Sequence, residues 1–249
     1  MQKADALYNQ ITQRKSVRQY KMDALDAETL QKIDQFIQQL VPMDSEIEVS
    51  FTRTPNEAMG KLFSIKAPYY MTVASEPTGN YLENAGFMLQ QLDLFLPTLG
   101  LGGCWLGMAK PSKSAGFNKS HEFIIAYAFG TPEIFEPRTS VTQFSRFPLN
   151  KIHKGEQYKE LIELARLAPS ATNSQPWLYV DAEESIHIYR IRQNIFKGLI
   201  FERLNRIDVG IGLFHLYIAA LVKGFTPSFT IVETPEIKDY QYVMTIKFN

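Results

Sequence analysis

The sequence predicts an α+β layer fold written twice along one chain, and three observations carry that prediction. Helical and strand patterns alternate through all 249 residues, with no low-complexity tract or Gly/Ser linker between them. Two long apolar helices end on glycine, GFMLQQLDLFLPTLG and GIGLFHLYIAALVKG. They fall on one another at an offset of 124 residues, Gly86 on Gly210 and Gly100 on Gly224. At the same offset RKSVRQY (14–20) meets RTSVTQF (138–144), where Arg, Ser, Val and Gln recur. These matches place the halves at residues 1–136 and 137–249.

The elements follow in order. Residues 2–13 and 27–40 predict helices, with Asp26 as N-cap of the second, because its short carboxylate can accept from first-turn amides. APYYMTVAS (67–75) and EFIIAYAFG (122–130) predict strands, since aromatic and β-branched residues are concentrated there. Pro97 should kink or break the long helix between them. The second half predicts a helix over 155–168, strands near 177–181 and 185–191, a helix over 208–223, and strands over 228–233 and 241–248. The acidic run Asp181-Ala182-Glu183-Glu184 falls at a hairpin tip.

Composition narrows the function classes. Hydrophobic residues are 45% of the chain and charged residues 21%, enough for a sizeable core and against extended disorder. Lys+Arg and Asp+Glu are both 26, so no global field attracts nucleic acid or an anionic membrane, and any anion site is local. The one cysteine, Cys104, excludes an internal disulfide framework and thiolate-rich metal sites. Apolar runs stop short of the ~18 residues a membrane span needs. The N-terminal MQKADALYNQITQRK has no signal-peptide h-region, so a reduced, cytoplasmic location is expected. The four histidines show no metal-ligand spacing, and His215 reads as a satisfied core residue. Ser170 lacks the G-x-S-x-G elbow of a serine hydrolase.

Three segments carry chemistry. Arg14-Lys15-Ser16-Val17-Arg18 mixes forked donors, a point charge and a short hydroxyl, as a phosphate requires, although a solvated basic helix end has the same composition. In Ala165–Trp177, ARLAPSATNSQPW, a helix stops before Pro169 and a strand starts after Pro176. The small residues between would let a flat ligand approach the backbone, and Asn173 and Gln175 offer donors and acceptors. Two prolines, two serines, Asn and Gln exceed what an ordinary helix-to-strand turn needs. Leu99–Gly107, LGLGGCWLG, is glycine-dense, but G-x-G-x-x-G fails at Trp105. Close approach to a ring system and a helix C-cap both account for it.

Together RKSVRQY, ARLAPSATNSQPW and GLGGCWLG resemble the nitroreductase family of FMN-dependent oxidoreductases, in the subgroup with two nitroreductase-like halves per chain. The resemblance spans about residue 8 to 249. It implies a mixed sheet flanked by helices, here an internally duplicated single-chain pseudo-dimer. It implies that Arg14, Ser16 and Arg18 bind the FMN phosphate, with Lys15 contributing at least its backbone, joined by Arg146 of SRFPL. Pro169, Ser170, Ala171, Asn173 and Gln175 would contact the isoalloxazine and ribityl, and Leu106 and Gly107 would lie near the reactive centre through their backbone. NAD(P)H would reduce the flavin and a small-molecule acceptor (nitroaromatic, quinone or free flavin) would reoxidise it, with no catalytic side chain required. The alternatives are a flavoenzyme with another reaction and a non-catalytic flavin-binding or sensing module.

The matching residues are split between the halves. The half-one counterpart of PSATN falls around Val41–Ser45 and has lost the pattern. The half-two counterpart of RKSVR is RTSVT, which keeps one of three cations. One FMN per chain follows, in a monomer or weak homo-oligomer with no nucleic-acid or membrane partner. Where the family often has a lysine two residues before the late arginine, this chain has Phe144. The family's lysine or asparagine contact before the first strand has Lys61 as its nearest candidate. On this reading Arg14→Ala lowers FMN retention more than fold stability.

Overall fold

The computed structural model describes residues 2–56, 59, 65–109, 111, 120–192 and 198–249. The chain forms two compact units, Gln13–Thr139 and a second made of Met1–Thr12 with Ser140–Asn249. The N-terminal helix α1 (Gln2–Gln10) belongs with the second unit.

The Gln13–Thr139 unit contains α2 (Ala27–Ile37), β1 (Val49–Pro55), β2 (Tyr69–Ser75), α3 (Tyr81–Phe95), β3 (Gly102–Leu106) and β4 (Glu122–Gly130). Its strands form an antiparallel sheet in the order β1-β2-β4-β3. The two central strands are the two predicted ones, and both are buried along nearly their whole length, which is why they read as continuous apolar runs. The edge strand β1, VSFTRTP, escaped prediction because its residues are mostly polar. Asp26 caps α2 as expected, accepting from the Thr29 amide and hydroxyl, both at 2.8 Å.

Helix α3 is buried on every side from Leu82 to Leu94, polar residues included. It ends at Phe95, and a 3-10 turn over Leu96–Leu99 carries Pro97 in its first positions, the break that proline foretold. Gly100 then closes the turn in the left-handed region at φ 72°, so the cap reading of this glycine holds. Its amide donates to Pro97 O (3.0 Å) and the Leu101 amide to Leu96 O (3.1 Å). Gly102 and Gly103 have a different reason. A Cβ on Gly102 would run into Val17, and one on Gly103 would overlap the Tyr127 hydroxyl. Tyr127 is fully buried and its hydroxyl is fixed on Asp93, so it has nowhere to move. Gly103→Ala is expected to destabilise the protein by at least about 1–3 kcal/mol through overpacking. An unaltered urea midpoint would show that the Tyr127 contact is not rigid.

The second unit adds α4 (Leu149–Ile152), β5 (His153–Lys154), α5 (Lys159–Ala165), β6 (Trp177–Ala182), β7 (Ser185–Ile191), α6 (Gly198–Val222), β8 (Pro227–Thr230) and β9 (Tyr240–Phe248). Its sheet runs β5-β6-β7-β9-β8, with β5 parallel to β6 and the other neighbours antiparallel. The β6–β7 hairpin turns at Glu183-Glu184, as the acidic run suggested. Helix α6 begins ten residues before the predicted 208. Its Phe201–Val222 stretch is long and apolar enough to cross a membrane by length and composition, which the expectation of short apolar runs overlooked. However, 78% of that window is buried inside the protein, and the helix packs on α5 and α1. His215 is fully buried with Nδ1 3.2 Å from Leu164 O, a core histidine. Past α6, Gly224 is left-handed at φ 90°, its amide donates to Leu221 O (3.1 Å), and the Phe225 amide donates to Ala220 O (3.0 Å). Each of these cap residues lies 124 positions after its counterpart at Gly100.

Candidate functional site

In the Gln13–Thr139 unit the basic segment is extended chain rather than a helix end. Ser16 bridges Gly103 of β3 in parallel, and the Val17 amide donates to Gly103 O at 2.9 Å. Two of the three sequence motifs are therefore neighbours, and the glycines of the third segment make room for the first. The cations divide by direction. Arg14 points inward, 3% exposed, with Nε 2.6 Å from Asp93 Oδ2 and Nη2 donating to Ser16 Oγ at 2.9 Å. Asp93, itself 2% exposed, also accepts from the Tyr127 hydroxyl (2.5 Å) and Trp105 Nε1 (3.3 Å). Arg138 donates to the Arg14 carbonyl. Lys15 and Arg18 are exposed, with Lys15 Nζ 3.4 Å from Glu136. Burial raises the Tyr127 hydroxyl well above its ordinary range, keeping it a donor to Asp93. Burial also raises the Cys104 thiol, which keeps it a neutral thiol instead of a reactive thiolate. Leu106 is buried at the end of β3 and Gly107 is exposed in the turn after it. Lys61 lies outside the described residues.

In the second unit the loop after α5 holds Pro169, Ser170, Ala171, Asn173 and Gln175 in a strained arrangement. Thr172, Asn173 and Gln175 all have positive φ (52°, 59° and 49°), a region a β-branched threonine strongly disfavours. Such residues cost about 1–3 kcal/mol each and persist only when their surroundings over-determine them. The surroundings do so here. Ser170 Oγ accepts from the Gln175 amide at 2.9 Å, and Gln175 Oε1 accepts from the Phe147 amide at 2.8 Å. Asn173 Nδ2 donates to Ser145 O (2.8 Å) while its Oδ1 accepts from Arg146 Nη1 (2.7 Å), and Arg146 Nη2 donates to Leu167 O (3.1 Å). Arg146, Asn173 and Gln175, separated in sequence, are brought into one network. Phe144, in place of the family's lysine, is buried with its ring centroid 5.5 Å from the Arg146 guanidinium, a cation–π support for that arginine.

Sequence reasoning missed Asp208. It projects from α6 beneath this loop, 4% exposed, and its carboxyl oxygens both lie 3.0 Å from the Ala171 amide. Burial pushes it up to about 8, moderated by the Ala171 amide and the Ser174 hydroxyl. The 124-residue offset read from the sequence puts Asn84 opposite it. Asn84 Oδ1 accepts from the Met43 (2.8 Å) and Asp44 (3.2 Å) amides, and its Nδ2 donates to Asp44 O (3.1 Å). Beside the 170–175 loop, a cavity of about 330 Å³ is lined by Phe147, Lys151, Trp177, Ile191 and Tyr240. That is the lower end of small-molecule sites.

Within the first unit Lys15, Ser16 and Arg18 offer two cations and a hydroxyl, a donor set that suits a phosphate; within the second, Thr172, Asn173 and Ser174 are the exposed residues of the 170–175 loop. The mixed α+β fold and this loop define a nitroreductase-type oxidoreductase scaffold. The chain belongs to the TM nitroreductase family: the family model described as "Putative TM nitroreductase" matches residues 6–220. Among solved structures, it is similar to one described as a "putative nitroreductase" from Thermotoga maritima at 20% identity and a TM-score of 0.63. That similarity covers 97% of this chain and 92% of the other. A nitroreductase family protein from Clostridium difficile 630 is 14% identical with a TM-score of 0.46, over 58% of this chain and 94% of that one. An FMN-dependent nitroreductase from Clostridium difficile R20291 is 16% identical with a TM-score of 0.45, over 59% and 97%. No curated protein matches the sequence.

Proposed function

We propose that the protein is an FMN-dependent NAD(P)H oxidoreductase, with one flavin per chain, that reduces small aromatic acceptors such as nitroaromatics, quinones or free flavins. The observation that carries this reading is the strained 170–175 loop: Thr172, Asn173 and Gln175 are held left-handed at a cost, and two of them, Asn173 and Gln175, are residues the family resemblance assigns to the flavin. When bound, the flavin would supply two-electron redox chemistry between NAD(P)H and the acceptor in ping-pong fashion.

The chain's own residues then bind and orient. Lys15 and Arg18 face outward to neutralise a phosphate, and Arg14 fixes the Ser16 hydroxyl beside them. Pro169, Ser170, Ala171, Asn173 and Gln175 shape the ring-binding loop. Arg146 holds Asn173, a positioning role alongside the phosphate contact the resemblance implies. Leu106 and Gly107 contribute backbone at the end of β3. The proposal includes internal duplication. The equivalent glycine caps at Gly100 and Gly224 and the equivalent loop anchors Asn84 and Asp208 support it. Loss of the PSATN pattern near Val41–Ser45 and of two cations in RTSVT supports a single flavin.

The test is an absorbance spectrum of protein incubated with excess FMN and desalted, followed by anaerobic NADPH and then NADH. About one flavin per chain that bleaches on addition is expected. Two flavins per chain would refute the single-site argument. A retained flavin that neither nucleotide reduces would replace the reductase reading with a binding module. No retained flavin, and none bound on titration, would sink the proposal.

A further inference from the structure

We propose that Asp208 is the positioning residue of the 170–175 loop: from helix α6 its carboxyl holds the Ala171 amide and fixes the left-handed conformation on which flavin affinity depends. The proposal rests on the flavin reading above for its second clause only. Three features of the molecule support it.

First, the other anchors of the loop come from the 144–147 segment, itself irregular chain, whereas Asp208 stands in a buried helix between Ile207 and Val209, each 1% exposed. It ties the loop to the rigid interior. Second, a carboxyl here is costly. Among the described residues the influences on it are its own burial, the Ala171 amide and the Ser174 hydroxyl. A buried polar group kept at such expense marks a site selected for something other than stability. Third, the molecule contains the uncharged alternative. At the matching position Asn84 anchors the Val41–Ser45 loop, whose flavin pattern is gone, and it does so with a carboxamide that both accepts and donates. A carboxamide at 208 would turn its NH2 toward the Ala171 N–H, donor against donor, whereas a carboxyl, ionised or with its proton turned away from Ala171, keeps both oxygens as acceptors.

The test uses Asp208→Asn and Asp208→Ala in the full chain. Hydrogen exchange at Ala171 in the flavin-free protein, FMN titration by fluorescence, and thermal melts at pH 8.5 are measured together. Exchange at Ala171 should accelerate at least tenfold in Asp208→Ala and less in Asp208→Asn, and FMN affinity should fall in the same order, at least tenfold for Ala. The melting temperature of Asp208→Asn at pH 8.5 should equal or exceed the parent's, which a merely structural residue would not give. Asn84→Ala, the control, should lower the melting temperature and leave FMN affinity within twofold. Unchanged Ala171 exchange in folded Asp208→Ala would overturn the proposal. So would accelerated exchange with unchanged FMN affinity, or affinity that falls only in step with melting temperature. A parent chain that binds no FMN would overturn the flavin reading and the affinity clause, while the exchange data would still decide the positioning clause.

Discussion

Asp93→Ala is expected to destabilise the protein by about 3–5 kcal/mol, because it strands the buried Arg14 guanidinium without its counter-charge. The same substitution removes the acceptor of the Tyr127 hydroxyl and the Trp105 N–H, both donors inside the first unit. Arg14→Ala should cost a similar amount by leaving the Asp93 carboxylate buried. Replacing both at once, Asp93→Ala with Arg14→Ala, should cost less than the two single losses summed, since no uncompensated charge remains. Urea unfolding of the four proteins closes the cycle, and strictly additive losses would argue that the two side chains do not share one electrostatic unit. This burial changes how the basic cluster is tested. Arg14→Ala was expected to affect FMN retention more than stability, but a buried ion pair makes the stability loss large. Arg18→Ala, at an exposed position, is the cleaner probe of the phosphate contact.

The contribution of Asp208 to stability should fall as pH rises from about 4 to about 8. Its carboxyl is pushed up from 3.8 to about 8 in the folded protein, so across that window the folded chain keeps a proton the unfolded chain has released. Folding is then opposed by rising pH, with a limiting slope of ~1.4 kcal/mol per pH unit from this one group. The contribution is fully present below the unfolded value and lost through the folded one. Asp26 works in the opposite sense. The Thr29 amide and hydroxyl lower it, so its capping is lost as pH falls through the acid range. Melts of the parent and Asp208→Asn between pH 5 and 9 should diverge, the parent declining and the variant flatter. Parallel curves would mean that Asp208 titrates as an ordinary carboxyl.

Much of the fold could be read from local signals, because these are written within a few residues of where they act. The Asp26 cap, the break at Pro97, the glycine stops at Gly100 and Gly224, and the apolar runs of β2 and β4 all belong to this kind. The loop at Pro169–Gln175 was legible for the same reason: its two prolines and its dense small polar residues are local anomalies. β1 and β3 were not legible. One is a polar edge strand and the other opens on two glycines, and only pairing with a neighbour makes either a strand.

By itself the sequence determined the α+β class, the two long apolar helices and the residue types gathered at each candidate segment. Only the tertiary structure decided what those residues do. It turned Arg14 inward onto Asp93 while leaving Lys15 and Arg18 outside. It spent Gly102 and Gly103 on Val17 and Tyr127, and it placed Asp208 under a loop 37 residues away in sequence. The physical reason is the same in each case. Whether a charge faces water or a buried partner depends on groups distant in the chain, and that choice does not exist until the core closes around them.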